Sequence, residues 1–245
     1  ASITGSEEAK FLFFMHHFAL ENRILVTGSS GTIGKIVKAH LKNNGYQFIT
    51  ELDKDNEENP VEMLNDDITE YFKDVNSVFH LAANPNPFIG KKEADKNTAI
   101  TRKLIEACEQ SRSIRRIIYA SSINVYPYRD IKRIKSETPL TSNQSFNPKG
   151  HYGKSKIESE RLLEKYCKEN NISLLNLRFG WVTKNDKHPP YVEDKPHPRD
   201  IEVALKHNDL IKIVLKAVNH QGIASYVCVS KQGSLVDDSI IFPIE

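Results

Sequence analysis

Cysteine, membrane-length apolar runs and net charge are all scarce in this chain, and each scarcity excludes something. Three of the 245 residues are cysteine: Cys108, Cys167 and Cys228. They are odd in number, far apart and without a CxxC pair, which excludes a disulfide scaffold and a cysteine-rich zinc site. Reduced thiols in a cytoplasmic protein are the expectation. The nine histidines show no HExxH or comparable ligand spacing, so no metal is expected. No apolar run reaches the roughly 18 residues of a membrane span, so no membrane partner is expected. The greasiest stretch, Phe11 to Met15, is followed by His16 and His17 and preceded by Glu7 and Glu8, which does not fit a secretory signal. Residues 1–22 read as an N-terminal extension that packs on the body or on a partner subunit. Lys+Arg is 34 and Asp+Glu is 32, a net charge of +2, which argues against bulk electrostatic capture of nucleic acid. The basic cluster Arg129, Lys132, Arg133 and Lys135 has no interleaved stacking residues beyond Tyr126 and Tyr128, and reads as solvated charge.

What is present suffices for a sizeable core: hydrophobic residues are 39% and charged residues 27%, so wholesale disorder is excluded. After Glu21, short β-rich runs alternate with helical ones. Strands are predicted at 23–27, 46–52, 76–82, 115–120, 172–177 and 223–229. Helices are predicted at 33–44 (closed by Gly45), 94–111, 151–170 and 200–220. The alternation predicts βαβ units in a Rossmann-type, doubly wound α/β fold with a parallel sheet. Residues 23–180 form its nucleotide-binding part, and 181–245 a short substrate-loop region plus the last helix and strand. Two polar stretches, 127–150 and the proline-rich 184–199, follow predicted strands, where ligands bind in open α/β sheets. The second carries Lys184, Lys187, His188, Lys195, His197 and Arg199. These meet an anion or are offset by Asp186, Glu193 and Asp194.

Between the first strand and first helix stands Thr27-Gly28-Ser29-Ser30-Gly31-Thr32-Ile33-Gly34, a G-x-x-G-x-x-G relative of the dinucleotide fingerprint. Gly28 permits the sharp turn, Gly31 lets the backbone approach a pyrophosphate, and Gly34 lets the helix lie close on the strand. Backbone N–H groups of Ser30, Thr32 and Ile33 at the helix N-terminus would hold the phosphate. Asp53 follows Gly28 by 25 residues and comes just after the second strand. A carboxylate there accepts from the adenosine ribose hydroxyls and repels a 2′-phosphate, favouring NAD over NADP. Glu51 is a rival for that role, and Lys54 adjoins Asp53. Asp66-Asp67-Ile68 either caps a helix or brings Asp67 and the Ile68 backbone against the adenine.

Tyr152 and Lys156 are four apart on a predicted helix and share a face. A phenol with pKa near 10 is a poor base at neutral pH, and an adjacent ammonium favours its ionised form. Ser121 and Ser122 directly follow a predicted strand. A serine there can hydrogen-bond a substrate oxygen beside the tyrosine, or simply start a turn.

With these residues in view the chain resembles the short-chain dehydrogenase/reductase superfamily in its extended form, over about 23–229. The likeness rests on the glycine loop, Asp67-Ile68, His80-Leu81-Ala82-Ala83, Asn97, Ser121-Ser122-x-x-Val125-Tyr126, Tyr152-x-x-x-Lys156 and Leu177-Arg178. The resemblance implies a catalytic triad of Ser122, Tyr152 and Lys156. Ser122 is preferred to Ser121 because it stands three residues before Val125. It implies that His80 to Ala83 run past the cofactor phosphates and ribose, with Leu81, Ala82 and Ala83 in contact. It places Asn97 by the active site, and Tyr152 and Lys156 also on the nicotinamide ribose. A homodimer through a helix bundle is a further implication, although Ile157, Leu162, Leu163 and Tyr166 read as core.

Within the superfamily the chain looks like the uronate dehydrogenases and related sugar-phosphate dehydrogenases. The likenesses are Leu177-Arg178-Phe179-Gly180, His188-Pro189-Pro190, and the region around Tyr226 to Ser230. That likeness implies substrate contacts from Asn84, Ser122, Asn124 and Arg178, the arginine suiting a carboxylate or phosphate. Ile123-Asn124 departs from the Asn-His of uronate dehydrogenases. Only 67 residues follow Arg178, little to clasp a nucleoside diphosphate. The implied activity is NAD-dependent oxidation of a sugar hydroxyl. Nucleotide-sugar epimerisation or dehydration, or a catalytically silent NAD(P)-binding regulator, are the alternatives.

Overall fold

The computed structural model describes residues 22–127, 148–182, 203–230 and 241–243. In chain order the elements are β1 (Arg23–Thr27), α1 (Thr32–Asn43), β2 (Phe48–Leu52), β3 (Ser77–His80), α2 (Lys91–Gln110), β4 (Arg116–Ser122), α3 (His151–Asn170), β5 (Ser173–Phe179), β6 (Trp181–Val182), β7 (Ala204–Leu205), α4 (His207–Ala217) and β8 (Ile223–Cys228). Six strands make one parallel sheet in the order β2-β1-β3-β4-β5-β8, and β6 pairs with β7 separately.

The strands alternate between two cores because successive side chains leave opposite faces. Ile24 and Val26 pack with Val37 and Leu41 of α1 and Leu210, Ile213 and Val214 of α4. Leu25 packs with Leu104 and Cys108 of α2 and Leu163, Tyr166 and Cys167 of α3. Helices therefore cover both faces, which is why strands such as β3 and β4 are buried throughout. The three cysteines are free and buried. Ile157, Leu163 and Tyr166 are likewise buried in the core. Among the described residues no helix is long and apolar enough to cross a membrane.

The strand order reverses between β1 and β3. At such a switch point adjacent loops diverge to opposite faces and leave a crevice at the carboxyl edge. The loops after β2, β1, β3, β4 and β5 line that edge in a row.

Several boundaries differ from the sequence expectation. The helix predicted at 200–220 is not continuous: Ala204–Leu205 pairs with Trp181–Val182, and the helix starts only at His207. The apolar run Val203-Ala204-Leu205 suits either state. The Trp181 N–H to Val203 O bond (3.0 Å) and the Ser230 N–H to Ala204 O bond (2.8 Å) decide for strand. Asp66-Asp67-Ile68 leads into a short 3-10 turn, Thr69–Phe72, rather than a full helix. The strand predicted to end at Ala120 runs on to Ser122, so both serines belong to it, paired with Arg178 and Phe179 of β5.

Candidate active site

The glycine loop has the geometry its motif requires. Gly28 sits in the left-handed region (φ +69°), and a Cβ there would lie 2.7 Å from the Ala82 nitrogen. A Cβ at Gly34 would run into the Gly28 carbonyl oxygen. The α1 N-terminus has Gly31 as its cap residue, no side-chain cap and no acid in the first turn. Its leading N–H groups lack intrahelical partners and carry the positive end of the helix dipole. That donor set fits a pyrophosphate. Asp53, just after β2, accepts the Ser30 N–H on Oδ2 (2.9 Å), so that N–H, expected on the phosphate, is engaged by the carboxylate, which sits against the loop where a ribose would lie. Glu51 is engaged elsewhere, pairing with Lys38 (2.5 Å) and Lys42 (3.7 Å) of α1. These residues together fit a dinucleotide.

Other residues predicted for the cofactor fall into two groups. Leu81, Ala82 and Ala83 leave β3 beside Gly28 and are half-buried. Asp67 is exposed and accepts the Thr69 N–H (3.0 Å). Ile68 is buried in the core, which leaves only its backbone for an adenine. Asn97 is buried in α2. Its Oδ1 accepts the Asn84 N–H (2.8 Å), and its Nδ2 donates to the Asn84 carbonyl (3.1 Å), so it pins the loop after β3. The Asn84 side chain accepts from the Asn86 N–H (3.1 Å).

His80 does not run along a cofactor path. It is fully buried, stacked on Tyr119. Thr27 Oγ1 accepts the Leu81 and Ala82 N–H groups, so its own proton goes to His80 Nδ1 (2.9 Å). Nε2–H then donates to Thr101 Oγ1 (3.2 Å), which donates to Ser159 Oγ on α3 (3.0 Å). The tautomer follows from these partners. Burial, then the Lys156 charge, push the imidazole pKa down to about 3, so it is neutral.

Ser122, Tyr152 and Lys156 come together at the end of β4. Ser122 Oγ accepts from the Asn124 N–H (3.2 Å) and Nδ2 (3.1 Å), and its hydroxyl lies beside the Tyr152 phenol, where it favours the ionised form. Lys156 Nζ donates to the Ala120 carbonyl (2.7 Å) and lies 5.6 Å from the Tyr152 ring centre and 5.0 Å from that of Tyr119. Burial pushes the Tyr152 phenol up to about 12, against the opposing effect of the Ser122 hydroxyl. Burial pushes the Lys156 ammonium down to about 8, against the opposing Glu160 carboxylate. Ser121 is not part of this group: it faces α3 and donates to Glu160 Oε1 (2.5 Å).

Arg178 is placed at the same edge, but its fork is engaged within the protein. Nε and Nη2 donate to Glu160 Oε1 (3.0 Å) and Oε2 (2.8 Å), and Nη1 donates to the Tyr126 hydroxyl (2.7 Å). Two residues at the site escaped sequence reasoning. Gly153 lets α3 close on the loop after β4, since a Cβ there would run into the Asn124 carbonyl oxygen. A glycine inside a helix, where it is unfavourable, was the available signal. Glu160, one turn beyond Lys156, had only its helical spacing to mark it. The basic residues of 129–135 and of the proline-rich loop lie outside the described residues, as does all but the last residue of the N-terminal extension.

Solved structures share the fold. MoeE5 in complex with UDP-glucuronic acid and NAD superposes with a TM-score of 0.71 at 21% identity, over 87% of this chain and 79% of that one. Glucuronic acid dehydrogenase from Chromohalobacter salexigens gives 0.70 at 22%, over 89% and 81%. In sequence, L-arabinose 1-dehydrogenase (NAD(P)(+)) of Haloferax volcanii is 29% identical over 176 residues, 67% of this chain and 69% of its own length. GDP-mannose 3,5-epimerase 1 of Oryza sativa subsp. indica is 28% identical over 175 residues, covering 64% of this chain but 46% of its own length. The sequence pattern of the NAD dependent epimerase/dehydratase family spans residues 24–202, from the first strand through the tyrosine–lysine helix and beyond. With most of the chain under that one match, the protein belongs to the NAD-dependent epimerase/dehydratase family, the extended short-chain dehydrogenase/reductases.

Proposed function

We propose that the protein is an NAD-dependent dehydrogenase that oxidises a hydroxyl of a small sugar, a uronic acid or a sugar phosphate. The observation carrying this reading is the convergence of Ser122, Tyr152 and Lys156 at the same carboxyl edge of the sheet as the glycine loop. The similarity to an arabinose 1-dehydrogenase supports a compact sugar substrate. NAD, when bound, supplies the hydride acceptor. Tyr152 takes the proton from the sugar hydroxyl, Ser122 hydrogen-bonds the oxygen whose charge changes, and Lys156 favours the phenolate and binds the nicotinamide ribose. In the free protein burial holds Tyr152 protonated, so the base forms only when positive charge gathers beside it. Asp53, Gly28 to Gly34 and Leu81 to Ala83 hold the dinucleotide. Asn84 and Asn124 face the sugar, and Arg178 contributes through the hydroxyl of Tyr126 or by exchanging part of its hold on Glu160. Region 181–245 selects the substrate.

Epimerisation of a nucleotide sugar is the second reading, favoured by the similarity to GDP-mannose 3,5-epimerase. The test is NAD reduction, followed by absorbance, with glucuronate, galacturonate, glucose 6-phosphate and free aldoses including L-arabinose. Turnover that drops about 10²- to 10⁴-fold in Tyr152→Phe supports the dehydrogenase. NAD binding without turnover of any sugar overturns it and moves the search to UDP- and GDP-sugars.

A further inference from the structure

Two hydrogen bonds tie α3 to the end of β4, Lys156 to the Ala120 carbonyl (2.7 Å) and Ser121 to Glu160 (2.5 Å), with Tyr152 beside Ser122. On the helix these residues stand at i, i+4 and i+8, one below the other on a single face. On the strand they are three consecutive residues. Glu160 also reaches the next strand, taking Arg178 Nε (3.0 Å) and Nη2 (2.8 Å). Ser121 and Arg178 are register partners on β4 and β5, so one carboxylate spans two neighbouring strands. Glu160, Ser121 and Lys156 are all buried.

We propose that Glu160 is a positioning residue: its carboxylate sets α3 against β4 and β5 and thereby holds Tyr152 at Ser122 and Lys156 at Ala120. The inference rests on the reading of Tyr152 and Lys156 as the catalytic pair. A two-oxygen grip on a guanidinium has a narrow geometry. A buried ion pair of this kind supplies registry here rather than much net stability. A second effect is electrostatic. Among the described residues, the titratable groups placed against the Lys156 ammonium are Tyr152 and Glu160 of α3, Tyr119 of β4 and neutral His80 of β3; Arg178 of β5 is bound to Glu160, and Tyr126 to Arg178. Glu160 opposes the burial that lowers the Lys156 pKa. Without it, that opposition is lost and burial lowers the Lys156 pKa further.

The test compares Glu160→Gln and Glu160→Asp with wild type. Lys156 is titrated in the cofactor-free protein by NMR of 13Cε-labelled lysine, its signal assigned with Lys156→Met. Steady-state kinetics are read alongside, with a thermal melt to establish folding. Glu160→Gln is expected to move the Lys156 midpoint down from about 8 by about one unit. It is expected to lower kcat about 100-fold while KM stays within about threefold. Glu160→Asp returns the midpoint toward wild type. An unmoved midpoint and unchanged kcat in folded Glu160→Gln overturn the proposal. If Glu160→Gln does not fold, Ser121→Ala decides, since it removes one contact and leaves the ion pair. A kcat lowered about 10-fold at constant KM supports the proposal, and an unchanged kcat overturns it. If wild type turns over no sugar, the proposed reaction fails, and the Lys156 titration still decides this inference.

Discussion

Replacing His80 with glutamine removes one titrating group from the middle of the sheet, and the consequence for acid stability can be worked out. The folded imidazole has a pKa near 3 because it is buried, against 6.5 for the group in water. Above pH 6.5 the ring is neutral in both states and contributes nothing to pH dependence. As pH falls through 6.5 the unfolded chain binds a proton that the folded protein refuses, so stability falls with pH down toward 3. At about 1.4 kcal/mol per pKa unit the full effect is about 5 kcal/mol. Between pH 7 and pH 5 the loss is about 2 kcal/mol, because only part of the window is crossed. Urea unfolding from pH 7.5 to 5 measures it. Wild type is expected to lose about 2 kcal/mol more than His80→Gln over that interval, whatever their difference at pH 7. The remaining histidines are common to both proteins and cancel. Parallel stability–pH lines would refute the assignment of a neutral, buried His80 linking Thr27 to Thr101.

Two further outcomes test the cofactor side. Asp53→Ser removes the carboxylate beside Ser30 and is expected to weaken NAD binding about 10-fold or more, while NADP binding weakens less. Calorimetric titration of both dinucleotides measures this, and an unchanged NAD-to-NADP ratio would place ribose recognition elsewhere. Gly34→Ala drives a Cβ into the Gly28 carbonyl oxygen. It is expected to destabilise the fold by about 1–3 kcal/mol and abolish NAD binding, read by thermal melt and titration. Retained NAD affinity would show that the loop can shift.

The fold class and the glycine loop are legible in the amino-acid sequence because they are local. The unbroken apolar run Ile24 to Val26, suited to a strand covered on both faces, and the apolar residues recurring at helical spacing in α1 announce their elements within a few residues. The glycines are readable for the same reason: φ and the missing Cβ are properties of single positions. The candidate catalytic set is legible only jointly. Tyr152 and Lys156 share a helical face by periodicity, but family likeness is what selects Ser122 over Ser121. Tertiary structure supplies a physical ground for the same choice, because Ser121 faces α3 and its hydroxyl is bound to Glu160.

What the sequence by itself determined is therefore the parts with short reach: the strand–loop–helix at Gly28, the Tyr152–Lys156 face, and the carboxylate after β2. Tertiary structure alone decided everything that depends on residues far apart in the chain. It made 204–205 a strand, because Trp181 offered a partner. It turned His80 inward, because Thr27 and Thr101 complete its hydrogen bonds across 53 and 21 residues. It raised the Tyr152 pKa and lowered that of Lys156, because burial is a property of the packed whole. It joined Glu160 to Ser121 and Arg178 only when β4 and β5 came into register, since a carboxylate's partners are set by which strands neighbour its helix.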